Sequence, residues 1–228
     1  MIVAVINIKG GVGKTTTAMA LATAAVRDGR AATVLDTDAQ SSASMWDLAA
    51  EEAGNRLPFE VAAANIASLR RLDGDRGRFV VIDTPPTGKI TDEAKDAADF
   101  VVVPTSPNGI DLQQTYTVVS NLEEVGKPYA VLITRAEPRT IALRSAERFL
   151  VDADVSTFDT VIRKRADLGN VYGQPFGDDL YGYGEVYEQL KEAMANGDQT
   201  DDAGQGAEGR KGPEAHGRAG HEAQGRQS

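Results

Sequence analysis

The chain has 228 residues, with 24 Lys and Arg against 34 Asp and Glu and a formal net charge of −10. That length suits a single domain with a sizeable core, and the acid excess excludes a protein that coats nucleic acid or an anionic membrane with its whole surface. The absence of cysteine excludes disulfides, thiolate zinc sites, cysteine-ligated iron–sulfur clusters and thiol nucleophiles.

The chain opens on an apolar run, Met1 to Ile6, that turns polar too soon for a membrane span and lacks the charged start and cleavage site of a signal peptide. A cytoplasmic protein without membrane attachment is expected. Strands are predicted at Ile2–Ile8, Ala32–Leu35, Phe59–Ala62, Phe79–Ile82, Phe100–Val103, Tyr129–Ile133 and Val155–Val161. Helical patterns lie between them at Thr15–Arg27, Ser42–Ala53, Ile66–Leu72, Asp92–Ala97, Asp111–Glu124 and Thr140–Val151, with a last one near Glu185–Met194. Strands apolar on both faces suit a parallel sheet covered by helices. The alternation therefore predicts an α/β fold, doubly wound, with a mostly parallel sheet and helices on both faces. In such sheets ligands bind at the carboxyl ends of the strands.

After the first strand comes Asn7-Ile-Lys-Gly-Gly-Val-Gly-Lys-Thr-Thr-Thr17. Gly10, Gly11 and Gly13 let backbone N–H groups of this loop, Val12 included, turn inward on an anion. The helix that follows adds its positive end. Lys14 can then reach β- and γ-phosphates while the Thr15 hydroxyl ligates Mg²⁺, with Thr16 in the same first turn. These are the residues of a nucleoside triphosphate cradle.

A strict P-loop would have glycine at position 8, where this chain has Ile8. The run Lys9-Gly-Gly-Val-Gly-Lys14-Thr15 resembles the deviant Walker A motif of the ParA/MinD family of P-loop ATPases. The resemblance implies ATP and Mg²⁺ as ligands, and it makes Lys9 a signature lysine that reaches the phosphates of a second subunit. The second predicted strand ends Val34-Leu-Asp-Thr-Asp38 and the fourth Val80-Val-Ile-Asp-Thr84. Both put acids on the rim where Mg²⁺ and the attacking water need them. By the family match Asp83 would hold Mg²⁺ through water, Thr84 to Gly88 would form the second switch loop, and Asp38 would orient or deprotonate the water. Asp36 would support Mg²⁺ or switch geometry. Ala39 stands where the family has proline. Ser44 and Trp46 also match small ParA relatives, and Trp46 equally suits the sheet-covering face of its helix.

Pro104 to Asp111 resembles the proline-containing segment that in small ParA relatives lies near the base and the dimer interface, so Pro107 is a candidate nucleotide contact. A turn with Asp111 as helix N-cap is the other reading. Thr134-Arg135 stands where many relatives have an Asn that reads adenine.

Between Lys127 and Arg165 eight basic residues face five acidic ones. Arg139, Arg144 and Arg148 recur at helical spacing, and Arg163, Lys164 and Arg165 follow a strand. A few phosphate contacts per subunit, doubled in a dimer, would give salt-sensitive, sequence-independent DNA binding. From Asn196 to Ser228 no Leu, Ile, Val, Met or aromatic residue occurs, so residues 196–228 are expected to be a disordered polar tail after an ATPase domain at 1–195. Both histidines, His216 and His221, lie there, which removes histidine catalysis and histidine metal ligation from the body.

The resemblance implies an ATP-dependent sandwich dimer that binds nonspecific DNA, is stimulated by a ParB-like adaptor and segregates plasmid or chromosomal DNA. The alternatives are an ATP-dependent switch that positions a protein cargo without DNA, and a non-enzymatic nucleotide-binding adaptor. No helix-turn-helix segment precedes the phosphate loop, so sequence-specific operator binding is not expected.

Overall fold

Short β-branched runs bounded by glycine, proline and acids separate helical stretches throughout, and six of the seven runs become parallel strands. A computed structural model describes residues 1–72 and 77–205. The chain divides into two units, Met1–Met194 and Ala195–Ser228. The first holds the sheet: β1 (Ile2–Val5), β2 (Ala31–Asp36), β3 (Glu60–Ala63), β4 (Arg78–Asp83), β5 (Phe100–Thr105) and β6 (Tyr129–Ile133), all parallel, in the order β3-β2-β4-β1-β5-β6. The helices are α1 (Lys14–Arg27), α2 (Ser42–Glu52), α3 (Ile66–Leu69), α4 (Lys89–Ala97), α5 (Gly109–Glu124), α6 (Ile141–Asp152), α7 (Ala166–Gly169) and α8 (Tyr183–Gln205).

Side chains alternate across the sheet and feed two cores. On one face Val3, Val5, Val34, Phe79 and Val81 pack with α1, with Trp46 of α2 and with Tyr183, Val186 and Tyr187 of α8. On the other Ile2, Ala4, Ile82, Val101 and Val103 pack with Ala94 of α4, Leu112 and Leu122 of α5 and Leu143 and Leu150 of α6. The expected doubly wound, three-layer architecture is therefore present. α1 is buried along almost its whole length from Thr17 to Ala25, which its small residues permit.

Two expectations change. The run Val155–Val161 does not form a seventh strand. One isolated parallel bridge, Val131–Thr157, ties it to β6, and a second, Ala136–Arg163, lies just beyond both segments. Its inward residues are Val155, Phe158 and Ile162, a spacing that breaks the two-residue period a paired strand needs. α8 also continues to Gln205, into the stretch expected to be disordered from residue 196. A helix already nucleated on a packed face extends without a new nucleation cost. The rest of the expected tail, 206–228 with both histidines, lies outside the described residues.

Candidate functional site

Register brings the acids together. Asp36 pairs with Asp83 across β2 and β4, and Asp83 pairs with Val5 of β1, whose continuation is the glycine loop. Three strand ends thus deliver the loop and two carboxylates to one rim. Gly11 and Gly13 have φ of 77° and 91°, a region L side chains rarely adopt. A Cβ placed on Gly10, Gly11 or Gly13 would meet no protein atom within 4 Å, so the space above the loop is open to a ligand. Gly13 caps α1 without any side-chain hydrogen bond, leaving the first N–H groups for an anion.

Lys14 is buried at the start of α1, and its ammonium donates to the Lys9 carbonyl at 3.2 Å. Burial lowers its pKa, opposed by the charges of Asp83 and Asp38. The Thr15 hydroxyl donates to Asp83 Oδ2 at 2.7 Å. Asp83 Oδ1 is buried with no hydrogen-bond partner among the described residues. Burial pushes the Asp83 carboxyl up to about 7, with Asp36 and Asp38 adding to the rise while the Thr15 hydroxyl and Lys14 oppose it. A hydroxyl beside a carboxylate with one orphaned oxygen suits a hard divalent cation such as Mg²⁺. No group of three or more His, Asp or Glu side chains gathers among the described residues, so such an ion would complete its shell with water and phosphate oxygens.

Asp36 is used differently. Its Oδ2 accepts from the Ser44 N–H at 2.8 Å and the Ser44 hydroxyl at 2.7 Å, and its Oδ1 accepts from the Asp38 N–H at 3.1 Å. It ties the start of α2 to the end of β2. Asp38 lies on the rim, partly exposed, with Oδ1 accepting from the Gln40 N–H at 2.9 Å.

Lys9 turns to its own chain. Its ammonium lies 3.8 Å from Asp111 Oδ1, and its N–H donates to Asn7 Oδ1 at 3.0 Å. Asp111 is not the cap of α5. Asn108 is, accepting the Asp111 N–H, while the Asp111 carboxylate takes hydrogen bonds from Ser106 and Asn108. Pro107 sits in the turn before α5, next to Asn108.

A separate cleft of about 350 Å³ opens against Val12, Gly13 and Thr16. Arg163, Lys164 and Arg165 line it. The structure thus sets these three at the ligand rim, apart from Arg139, Arg144 and Arg148, which lie on or just before α6 and are exposed. Pro107 is not among the residues of this cleft.

Three residues without a distinctive sequence signal complete the site. Asn7 is buried and donates to the Pro104 carbonyl at 2.8 Å and the Thr115 hydroxyl at 3.0 Å. The Thr134 hydroxyl lies 2.8 Å from the Val12 carbonyl and 3.1 Å from the Thr105 carbonyl, bracing the loop from below. Ser44 holds Asp36. Ser44 and Thr134 stood out in the sequence only by resemblance to small ParA relatives, and neither of these contacts was legible there.

Residues 3–175 match a family described as the CobQ/CobB/MinD/ParA nucleotide binding domain. The chain is 38% identical over 170 residues to the maintenance of carboxysome distribution protein A of Gloeobacter kilaueensis, covering 71% of this chain and 76% of that protein. It is 29% identical over 155 residues to Protein ParA of Rhizobium radiobacter, covering 64% of this chain and 68% of the relative. Its fold is similar to cobyrinic acid a,c-diamide synthase from Mycobacterium smegmatis, solved with an ATP analogue and magnesium, at a TM-score of 0.65 and 21% identity over 86% of this chain and 96% of the other. The match across most of the chain agrees with the glycine loop, the paired Thr15 and Asp83 and the sheet order: the chain belongs to the CobQ/CobB/MinD/ParA family of nucleotide-binding domains.

Proposed function

We propose that this protein is a Mg²⁺-dependent ATPase used as a switch, in which ATP joins two copies and hydrolysis releases them, so that a protein cargo is distributed within the cell. The observation that carries the reading is the Thr15–Asp83 pair, with one orphaned carboxylate oxygen, set under an empty glycine cradle. Likeness to a protein named for carboxysome distribution supports cargo positioning as the use of the cycle.

In this reading the backbone N–H groups of Gly10 to Thr16 and the Lys14 ammonium hold the triphosphate. Bound Mg²⁺, held by Thr15 and Asp83, would neutralise charge on the β- and γ-phosphates. Asp38 orients or deprotonates the attacking water. Lys9 must leave Asp111 to reach the partner's phosphates, where two facing triphosphates repel unless cations offset them.

Likeness to a ParA protein favours a second use, segregation of DNA with a ParB-like adaptor. In both uses nonspecific DNA would serve as the track, met by Arg139, Arg144 and Arg148, and the protein would be cytoplasmic and nucleoid-associated. Among the described residues no helix is long and apolar enough to cross a membrane.

The test measures phosphate release and molecular mass with Mg²⁺ and ATP, for the wild type and for Asp38→Ala. The wild type should hydrolyse ATP, and Asp38→Ala should bind ATP and accumulate dimer without turnover. Unchanged turnover in that variant would remove Asp38 from the reaction, and absence of ATP binding by the wild type would end the proposal. Retention on duplex DNA with ATP, with ADP and with neither, at low and high salt, separates a DNA-borne cycle from one without DNA.

A further inference from the structure

Beyond the last paired residues of a parallel sheet the backbone ladder ends, and polar groups at the rim need other partners. At the carboxyl rim of this sheet buried side chains supply them. The Thr37 hydroxyl donates to the Asp83 carbonyl at 2.7 Å, the Thr84 hydroxyl to the Val5 carbonyl at 2.8 Å, and the Thr134 hydroxyl to the Thr105 carbonyl at 3.1 Å. Each of these threonines directly follows the last residue of its strand, and each accepting carbonyl belongs to the last residue of the neighbouring strand. The Asn7 amide makes a similar step from β1 to the Pro104 carbonyl of β5. All four donors are buried. Side chains thus cross every gap in the run β2-β4-β1-β5-β6.

Thr37 differs from the other three in what its bond is for. The Asp83 carbonyl already accepts the Thr37 backbone N–H at 3.0 Å, so the hydroxyl is not needed to satisfy that oxygen. Two bonds from one residue to one oxygen restrain the direction in which the chain leaves β2 as well as its distance from β4. The next residue is Asp38. Its carboxylate accepts one hydrogen bond, from the Gln40 N–H of its own turn, and has no ion pair among the described residues. Its N–H donates to Asp36, two residues before it. The place of Asp38 relative to Asp83 is therefore transmitted through the backbone at Thr37. The hydroxyl of Thr37 joins that backbone to the residue whose carboxylate pairs with Thr15.

We propose that Thr37 is a positioning residue for ATP hydrolysis: its hydroxyl sets Asp38, the acid that acts on the attacking water, against Asp83, the acid that holds Mg²⁺. The inference rests on the ATPase reading given above. In this scheme Thr37 touches neither nucleotide nor metal. Its loss displaces the acid that acts on water and leaves the phosphate cradle in place. A displacement of about 1 Å at a reacting group costs on the order of 100-fold in rate.

The experiment compares wild type, Thr37→Val and Thr37→Ser as full chains. Valine keeps the branched shape and the backbone N–H bond to Asp83, so no buried carbonyl is orphaned, and serine keeps the hydroxyl. With Mg²⁺ and ATP, the single-turnover hydrolysis rate of Thr37→Val should fall about 10- to 100-fold, and Thr37→Ser should restore it. Affinity for ATPγS with Mg²⁺, read by calorimetry, should stay that of the wild type in both variants. In the ligand-free protein the Asp38 amide should exchange with deuterium faster in Thr37→Val than in the other two chains. Should Thr37→Val not fold, Thr37→Ala takes its place with the same expectations. A wild-type rate in the variant without the hydroxyl, a loss of ATPγS affinity matching the loss of rate, unchanged exchange at Asp38, or Thr37→Ser as slow as Thr37→Val would each overturn the inference and leave the ATPase proposal standing. Absence of hydrolysis by the wild type would overturn both.

Discussion

Asp83 has the most testable chemistry of any single residue here. An unfolded Asp titrates near 4, whereas burial raises the folded group to about 7. Between those values the native state keeps a proton that the unfolded chain has released, so the group's contribution to stability falls as pH rises through this window. Without nucleotide or metal, Asp83→Asn should therefore melt progressively higher than the wild type as pH goes from about 4 to about 8. A difference in melting temperature that stays constant with pH would show that the carboxylate is not desolvated. Lys9 and Asp111 support a second experiment. The 3.8 Å approach within one chain competes with any contact that Lys9 makes to a partner. Asp111→Asn should lower the ATP concentration needed for half-maximal dimer, and Lys9→Ala should raise it. Light scattering across an ATP series reads both, and equal behaviour of wild type and Asp111→Asn would exclude the competition.

At the scale of elements, α2 links the rim to the rest of the domain. Its first turn is fastened to Asp36 by the Ser44 hydroxyl and N–H, while Trp46 donates to the Gln174 carbonyl at 2.8 Å and lies against Phe176 and Tyr172. Removing the hydroxyl with Ser44→Ala takes one hydrogen bond from a buried charge and should cost about 1.5–3 kcal/mol in urea unfolding. Trp46 is the sole tryptophan. Its fluorescence should respond to Mg²⁺ and ATP in the wild type, and a silent spectrum on saturation would mean that α2 does not move with the nucleotide. This helix also marks where sequence reading stopped. Strand ends and the glycine loop were legible because local pattern determines them, and Asp36, Asp38 and Asp83 fell on the rim as expected. The partner of Asp36 comes from the next helix and depends on packing, which a strand-end acid does not announce. The same limit applies to Val155–Val161, whose β-branched content reads as strand although only one isolated bridge ties it to β6. Arg163 to Arg165 read as candidate DNA contacts because nothing local says that they border the cleft beside Gly13 and Thr16.

Over the whole molecule, charge is distributed so that α6 presents Arg144 and Arg148 outward on a chain of net charge −10. Arg148 has only a weak, exposed contact to Asp152 at 3.9 Å, so both guanidinium groups are available to phosphate. Replacing both with Glu should abolish ATP-dependent retention on duplex DNA at low salt, where phosphate contacts count most. Retention equal to the wild type would move the DNA face elsewhere. The borders of the sheet bear on how copies can meet. β3 is four residues long, with Glu60 exposed at its start, and β6 is flanked by the chain that bridges at Val131 and Ala136. Neither border offers a long row of free backbone groups, so strand-to-strand addition, the route to fibres and swapped sheets, is closed. In the proposed switch, assembly falls to the loop rim, where its extent would follow the supply of a soluble small molecule and reverse when that molecule is consumed.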